Sequence, residues 1–160
     1  MIRIGILGDI GSGKSYVANS FGYPVFNADY EVSKLYQNNK KIFFKLKKKL
    51  PKYVKKFPLD KNEIIQAILG NKNNLPKIIN IVHREIKEKL KLFLKKNKNK
   101  EIIILDIPLL LENKINNKND VLIFVDAQKK DIKKRLIKRK NFNLRLLNKF
   151  KKIQLPLDYK

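Results

Sequence analysis

Apolar positions along the chain follow two rhythms. Ile2-Arg3-Ile4-Gly5-Ile6-Leu7 is a short β-branched run and predicts a buried strand. A glycine-rich turn, Gly8 to Gly13, ends it, and Lys14 to Phe21 predicts a helix. Pro24-Val25-Phe26-Asn27 predicts a second short strand, ending at Ala28-Asp29. Residues 30–57 read as helical and very basic, with Leu35, Phe43, Leu46 and Leu50 as apolar positions and Pro51 and Pro58 as punctuation. A short helix over 61–69 stops at Gly70, and Asn71 to Asn74 is a turn. From Leu75 to Lys96, Ile79, Val82, Ile86, Leu90 and Phe93 recur at three- and four-residue steps, the spacing of one face of a long helix.

Ile102-Ile103-Ile104-Leu105-Asp106 is apolar without alternation, which predicts a central strand covered on both faces. Val121-Leu122-Ile123-Phe124-Val125 predicts another of the same kind. Helices are expected over 129–140 and 143–154. Strands alternating with helices predict an α/β fold, a three-layer sandwich around a mostly parallel sheet. No linker divides the chain and no segment repeats, so it reads as a single domain.

Composition bounds the class. The chain has 160 residues, 43% hydrophobic and 32% charged. That is enough for one domain with a core, and it excludes collagen-like or wholly disordered chains. No apolar run approaches the roughly 18–20 residues needed to span a bilayer. The opening Met1 to Ser15 runs a short apolar stretch into glycines and a lysine, unlike a signal peptide. Cysteine is absent, which excludes disulfides and thiolate metal sites. The expectation is a soluble, cytoplasmic monomer with no membrane partner.

Charge changes this picture only a little. Lys and Arg total 38 against 14 acids, a net charge of +24. One reading is a nucleic-acid binder, because lysines release counterions from a phosphate backbone. Yet there are 33 lysines and only 5 arginines, alongside 18 asparagines and 21 isoleucines. Direct base readers lean on arginine, whose planar fork matches guanine. The lysines are spread over every segment from residue 34 onward. An A/T-rich coding composition accounts for this better, with attraction of small anionic substrates as the second reading. Nucleic acid is disfavoured as a partner.

The strongest chemical signal is Gly8-Asp9-Ile10-Gly11-Ser12-Gly13-Lys14-Ser15, followed by Tyr16. It fits the phosphate-loop pattern G-x-x-x-x-G-K-[ST], and a strand precedes it and a helix follows, as the pattern requires. Glycines let the backbone curl so that its N–H groups converge on phosphate oxygens. The helix N-terminus adds partial positive charge. Lys14 can bridge the β- and γ-phosphates of ATP, and Ser15 can ligand Mg²⁺. Asp29 lies where the ligand crevice of an open α/β sheet is expected. It could accept a proton from an attacking hydroxyl, or simply cap a helix. Asp106 ends the best strand and could hold Mg²⁺ through water, or serve as a strand-end cap. Glu112, shortly after Pro108, is open to either kind of reading.

These segments together resemble dephospho-coenzyme A kinase. That family carries a G-I-G-S-G-K-S loop, a D-A-D at the second strand and a D-x-P-L-L-F-E stretch. Here they match Gly8 to Ser15, Val25-Phe26-Asn27-Ala28-Asp29, and Leu105-Asp106-Ile107-Pro108-Leu109-Leu110-Leu111-Glu112. Pro58-Leu59-Asp60-Lys61 resembles its L-D-R turn, Ile81-Val82-His83-Arg84 its I-x-H-P, and Lys152-Ile153-Gln154-Leu155-Pro156-Leu157 its A-x-Q-x-P-L. The order agrees over essentially the whole chain.

The resemblance implies a P-loop nucleoside triphosphate hydrolase fold of the nucleoside monophosphate kinase-like kind, with sheet order 2-3-1-4. It implies a core over 1–29 and 100–128, a helical CoA-substrate part over about 30–97, and a lid over about 129–154. The implied reaction moves the ATP γ-phosphoryl group to the ribose 3′-hydroxyl of dephospho-CoA, giving coenzyme A and ADP. Asp29 is then the base. Gly8 to Tyr16, that is Gly8, Asp9, Ile10, Gly11, Ser12, Gly13, Lys14, Ser15 and Tyr16, bind ATP. Ser15 and Asp106 hold Mg²⁺. Asp29, His83, Asp106, Pro108, Leu109 and Glu112 line the acceptor substrate, although His83 could equally be a solvated histidine. Arg135 and Arg139, four apart on one face, could neutralise the transferring phosphoryl, with Arg139 the preferred catalytic arginine. Otherwise both belong to a solvated basic face with Lys133, Lys134, Lys138 and Lys140. Arg145 is read as surface.

This chain departs from the pattern at several positions. Asp9 stands where the family has glycine, Asn27 replaces the first Asp of D-A-D, Lys61 replaces arginine and Arg84 replaces proline. The family also continues past Tyr159-Lys160 with a fifth strand, an aspartate-asparagine motif near the nucleotide base and a last helix. The expectation is a sheet whose fourth strand is an exposed edge, in either a truncated record or a short product. Other readings are another small-molecule or nucleoside monophosphate kinase, a basic nucleic-acid-associated NTPase, and an inactive fragment.

Overall fold

A computed structural model describes residues 1–139 and 142–160. Lys140 and Asn141, the first of which belongs to the expected basic face, lie outside the described residues. The chain divides into two compact units, Met1–Ala28 with Phe93–Lys160, and Asp29–Leu92.

The first unit is built on a parallel sheet with helices on both sides. Its strands are β1 (Ile2–Gly8), β2 (Val25–Asn27), β3 (Ile102–Asp106) and β4 (Val121–Val125), in the order β2-β3-β1-β4. This is the expected order. Ile2 pairs with Ile102, Val25 with Ile104, and Ile4 with Val121. The crossovers leave β1 and β3 in the middle, so their apolar runs are buried: Ile6, Ile103, Ile104 and Leu105 are all inaccessible to solvent. A fully buried Ile or Leu contributes about 2–3 kcal/mol. Helix α1 (Lys14–Ser20) sets Ala18 against Ile6 and Ile104. Arg3 ties the start of β1 to the approach to β4, donating to the Ile115 carbonyl at 3.1 Å and pairing with Asp120 at 3.0 Å.

β4 overturns the central placement read from its apolar run and bears out the exposed edge expected from the resemblance. Its apolar run matches that of β3, but Val121, Leu122 and Phe124 are exposed and Ile123 and Val125 only half-buried. β4 ends the sheet, and a run of apolar residues does not encode how many neighbours a strand will have.

The second unit is helical. The basic stretch read as helical over 30–57 holds two helices, α2 (Ala28–Asn38) and α3 (Lys40–Lys49). Asn39 breaks it, because its side-chain oxygen accepts the Ile42 N–H at 3.0 Å and caps α3. Leu50 and Pro51 then stop the helix, and the Phe57–Pro58 bond is cis. Asp60 caps α4 (Lys61–Gly70) through the Asn62 N–H at 2.8 Å. The long helix α5 (Asn74–Lys96) buries Leu75, Ile78, Val82, Ile86 and Leu90, so its stripe is led by Ile78 rather than Ile79. Lys89 pairs with Glu31 at 3.0 Å, joining α5 to α2 inside this unit.

The expected lid holds two helices shorter than anticipated, α6 (Lys129–Ile137) and α7 (Leu144–Lys151). Asn143 caps α7 by accepting the Leu146 N–H at 2.9 Å. No described helix is long and apolar enough to cross a membrane.

Candidate active site

The sheet's topology sets where chemistry can sit. β1 leaves the sheet at Gly8 and β3 at Asp106, carboxyl ends of adjacent parallel strands. Gly8 has φ 140°, and a Cβ there would lie 2.5 Å from the Val125 carbonyl oxygen, so only glycine fits. The Ser12 N–H donates to the Asp9 carbonyl at 3.1 Å, curling the loop. Gly13, at φ 105°, turns the chain into α1.

Lys14 Nζ donates to the Gly8 carbonyl at 3.1 Å and the Asp9 carbonyl at 2.7 Å, which holds the ammonium over the loop. Asp9 does not aim its charge down the loop. Its Oδ1 accepts the Ile10 N–H at 2.6 Å and its Oδ2 lies 3.6 Å from Lys151 Nζ. Ser15 and Tyr16 are exposed at the start of α1. Ser12 Oγ is buried with no hydrogen-bond partner.

Helix α6 packs on this loop. A Cβ on Gly11 would come within 3.0 Å of Leu136 and 3.2 Å of Ile132. Arg135 Nη1 donates to the Ser12 carbonyl at 2.7 Å. Arg139 lies beyond the end of α6, exposed, its backbone N–H bonded to the Leu136 carbonyl. Of the two arginines, Arg135 is therefore the one at the phosphate loop.

Asp106 is 3% exposed and accepts from Asn27 Nδ2 at 2.6 Å. The two residues are register partners on β2 and β3, so the parallel ladder itself brings them together. Pro108 and Leu109 lie in the turn after β3, and Leu110 is buried with its side chain against Gly5. Asp29 follows β2 directly, as the second residue of α2 and within its first turn. On α5, His83 Nε2 is buried without a hydrogen-bond partner. Burial, and then the Lys87 ammonium, push the imidazole below its ordinary 6.5, so it is neutral at pH 7.

Glu112 is engaged within its own unit. One oxygen accepts the Leu155 N–H at 2.9 Å and the Lys160 ammonium at 2.7 Å, and the Lys160 side chain is 2% exposed. Burial opposes the charge, but Lys160 and the N–H groups of Glu112 and Leu155 outweigh it and hold the carboxyl below its ordinary 4.5. A depressed carboxyl stabilises the fold fully above its unfolded value and loses that contribution as pH falls through the folded one. Glu112→Gln is thus expected to cost about 2 kcal/mol at neutral pH. Denaturant melts should show the gap to the unaltered chain closing as the pH drops below the ordinary 4.5. A gap independent of pH would contradict the pairing.

Comparison with known proteins places the whole arrangement. A family model described as dephospho-CoA kinase matches residues 2–160. The chain belongs to the dephospho-CoA kinase family. The dephospho-CoA kinase of Wolbachia sp. subsp. Brugia malayi (strain TRS) is 33% identical over 162 residues, covering 98% of this chain and 83% of the relative. That of Rickettsia typhi (strain ATCC VR-144 / Wilmington) is 32% identical over 163 residues, covering 100% and 83%. The crystal structure of TT1252 from Thermus thermophilus superposes with a TM-score of 0.72 at 28% identity, covering 99% of this chain and 82% of that one. The dephospho-CoA kinase from Campylobacter jejuni shares the fold, with a TM-score of 0.61 at 22% identity over 98% and 82%.

Membership of the dephospho-CoA kinase family agrees with the motifs in the sequence. It does not point to the contacts made by Lys151 and Lys160, nor to the Arg135 bond to Ser12. Those join segments far apart in the chain, and only the four-residue spacing of Arg135 and Arg139 hinted at one of them.

Proposed function

We propose that this chain transfers the γ-phosphoryl group of ATP to the ribose 3′-hydroxyl of dephospho-CoA, giving coenzyme A and ADP. The observation that carries this is the family match over residues 2–160, with a correctly folded phosphate loop inside it. In the reaction, the ribose oxygen bonds to the γ-phosphorus as the bond to the β,γ-bridging oxygen breaks. The electron pair leaves with ADP, and Asp29 takes the hydroxyl proton. Little covalent chemistry falls to the protein, so positioning and charge neutralisation dominate.

Lys14 and the backbone N–H groups of the loop other than those of Ile10 and Ser12, which are bonded to Asp9, hold the phosphates. Arg135, already at the loop, and Arg139 supply further positive charge. The Ser15 hydroxyl and the Asp106 carboxylate are hard oxygen donors of the kind that hold Mg²⁺. No cluster of three His, Asp or Glu that could cage a metal occurs among the described residues, and Mg²⁺ brought in with a nucleotide needs none. When bound, Mg²⁺ would neutralise phosphate charge. Asn27 fixes the Asp106 carboxylate for that role. Asp29, His83, Pro108 and Leu109 are assigned to the acceptor by the family motifs they belong to, and Glu112 acts through the segment it holds at Leu155.

The test is coupled ADP release from Mg-ATP with and without dephospho-CoA, beside adenosine, AMP and shikimate. Release that depends on dephospho-CoA, with coenzyme A as product, is expected. Release driven by one of the other acceptors alone would overturn the assignment.

A further inference from the structure

The phosphate loop holds a group that does not suit its task. Asp9 is inside the loop, between Gly8 and Ile10, and its side chain is 16% exposed. A carboxylate in this loop, even turned aside, is close to any polyanion the loop binds, in a partly desolvated place where like charges repel strongly. The structure shows two contacts that answer this. The Ile10 N–H donates to Oδ1 and fixes the side chain, though at the cost of one loop N–H. The Lys151 ammonium, from the last residue of α7, lies 3.6 Å from Oδ2. This ion pair ties α7 to the loop.

We propose that Lys151 is the counter-charge that makes Asp9 compatible with a nucleoside triphosphate in the loop, a positioning residue acting through Asp9 alone. The inference rests on the loop's being the nucleotide site. As a single pair at 3.6 Å whose lysine is exposed, it adds little to the stability of the fold. Its effect falls on the ligand, because an uncompensated carboxylate penalises every negative charge brought beside it. The penalty therefore grows with the charge of the nucleotide and fades as salt screens it.

Nucleotide binding, measured without any acceptor, tests this. Lys151→Met is expected to raise the Kd for ATP about fivefold at low salt. The effect should be smaller for ADP, and both should shrink at about 0.5 M salt. Lys151→Arg should restore the affinity. In an Asp9→Asn background, where the amide oxygen still accepts the Ile10 N–H but carries no charge, Lys151→Met should leave the ATP Kd unmoved. The same loss in both backgrounds, or an equal loss for ATP and ADP at all salt concentrations, overturns the proposal. An unaltered melting temperature shows that each variant is folded. Failure of the unaltered chain to bind ATP would overturn both this and the function above. Tight ATP binding without turnover of dephospho-CoA would count only against the acceptor.

Discussion

Lys14→Ala is expected to lower ATP-dependent turnover by at least about 10²-fold, the size seen when one preorganised donor to a developing phosphate charge is removed. The ammonium is already over the loop, bonded to the Gly8 and Asp9 carbonyls. Little needs to move for it to meet a phosphate oxygen. Alanine leaves the backbone N–H groups in place, so weakened ATP binding can persist while transfer collapses. The fold should hardly notice, because hydrogen bonds of an ammonium in a half-exposed place contribute only about 1 kcal/mol each. Steady-state ADP release and an ATP titration on the same preparation measure both effects. Turnover within about threefold of the unaltered chain would remove Lys14 from the chemistry.

Asp29→Asn is expected to lower kcat by about 10²–10⁴-fold while the KM for ATP changes less than about twofold. Asparagine has the same shape and still fits the first turn of α2, but it cannot take a proton. Losing an acid from a helix's first turn costs a few tenths of a kcal/mol, so the variant should stay folded. The split between kcat and KM matters more than the size of the loss. A base acts in the transition state alone, whereas at a helix-capping Asp the asparagine, an equally good cap, would leave kcat where it was. An unchanged kcat would therefore return Asp29 to the capping role.

Much of the fold was legible because local signals and long-range order agreed. β1 is a β-branched run and β3 is apolar without alternation, and both are central strands. Asp60 and Gly70 bracket α4, with Asp60 as its cap and Gly70 its last residue. The phosphate loop was legible because its chemistry is contiguous in the chain. The failures have physical causes. Val121 to Val125 has the composition of a central strand, and nothing in it says that it ends the sheet. The break at Asn39 had a signal, since asparagine next to a basic helical run is a helix cap, but the apolar spacing of Leu35, Phe43 and Leu46 hid it. Ile78 and Ile79 are adjacent and equally apolar, so helical phase had to choose between them. At the site, Arg135 and Arg139 share one helix face in sequence, but α6 ends at Ile137 and only Arg135 reaches Ser12. Glu112 read as a substrate residue by its motif, and its contacts to Leu155 and Lys160 have no local signature.

The parallel sheet has a consequence for the order in which the molecule can form. Every pairing that stabilises β1 is remote: Ile2 meets Ile102, and Gly8 meets Val125. Loops that long must close before the sheet returns any stability, which slows folding. Residues 29–92, by contrast, form a continuous compact unit whose partners are near in the chain. During synthesis the helical segment can therefore settle while β1 is still without a neighbour. Gly8 is confined by the Val125 carbonyl and Ser12 is bonded by Arg135, both supplied more than a hundred residues later. The phosphate loop therefore leaves the ribosome well before the residues that give it its shape.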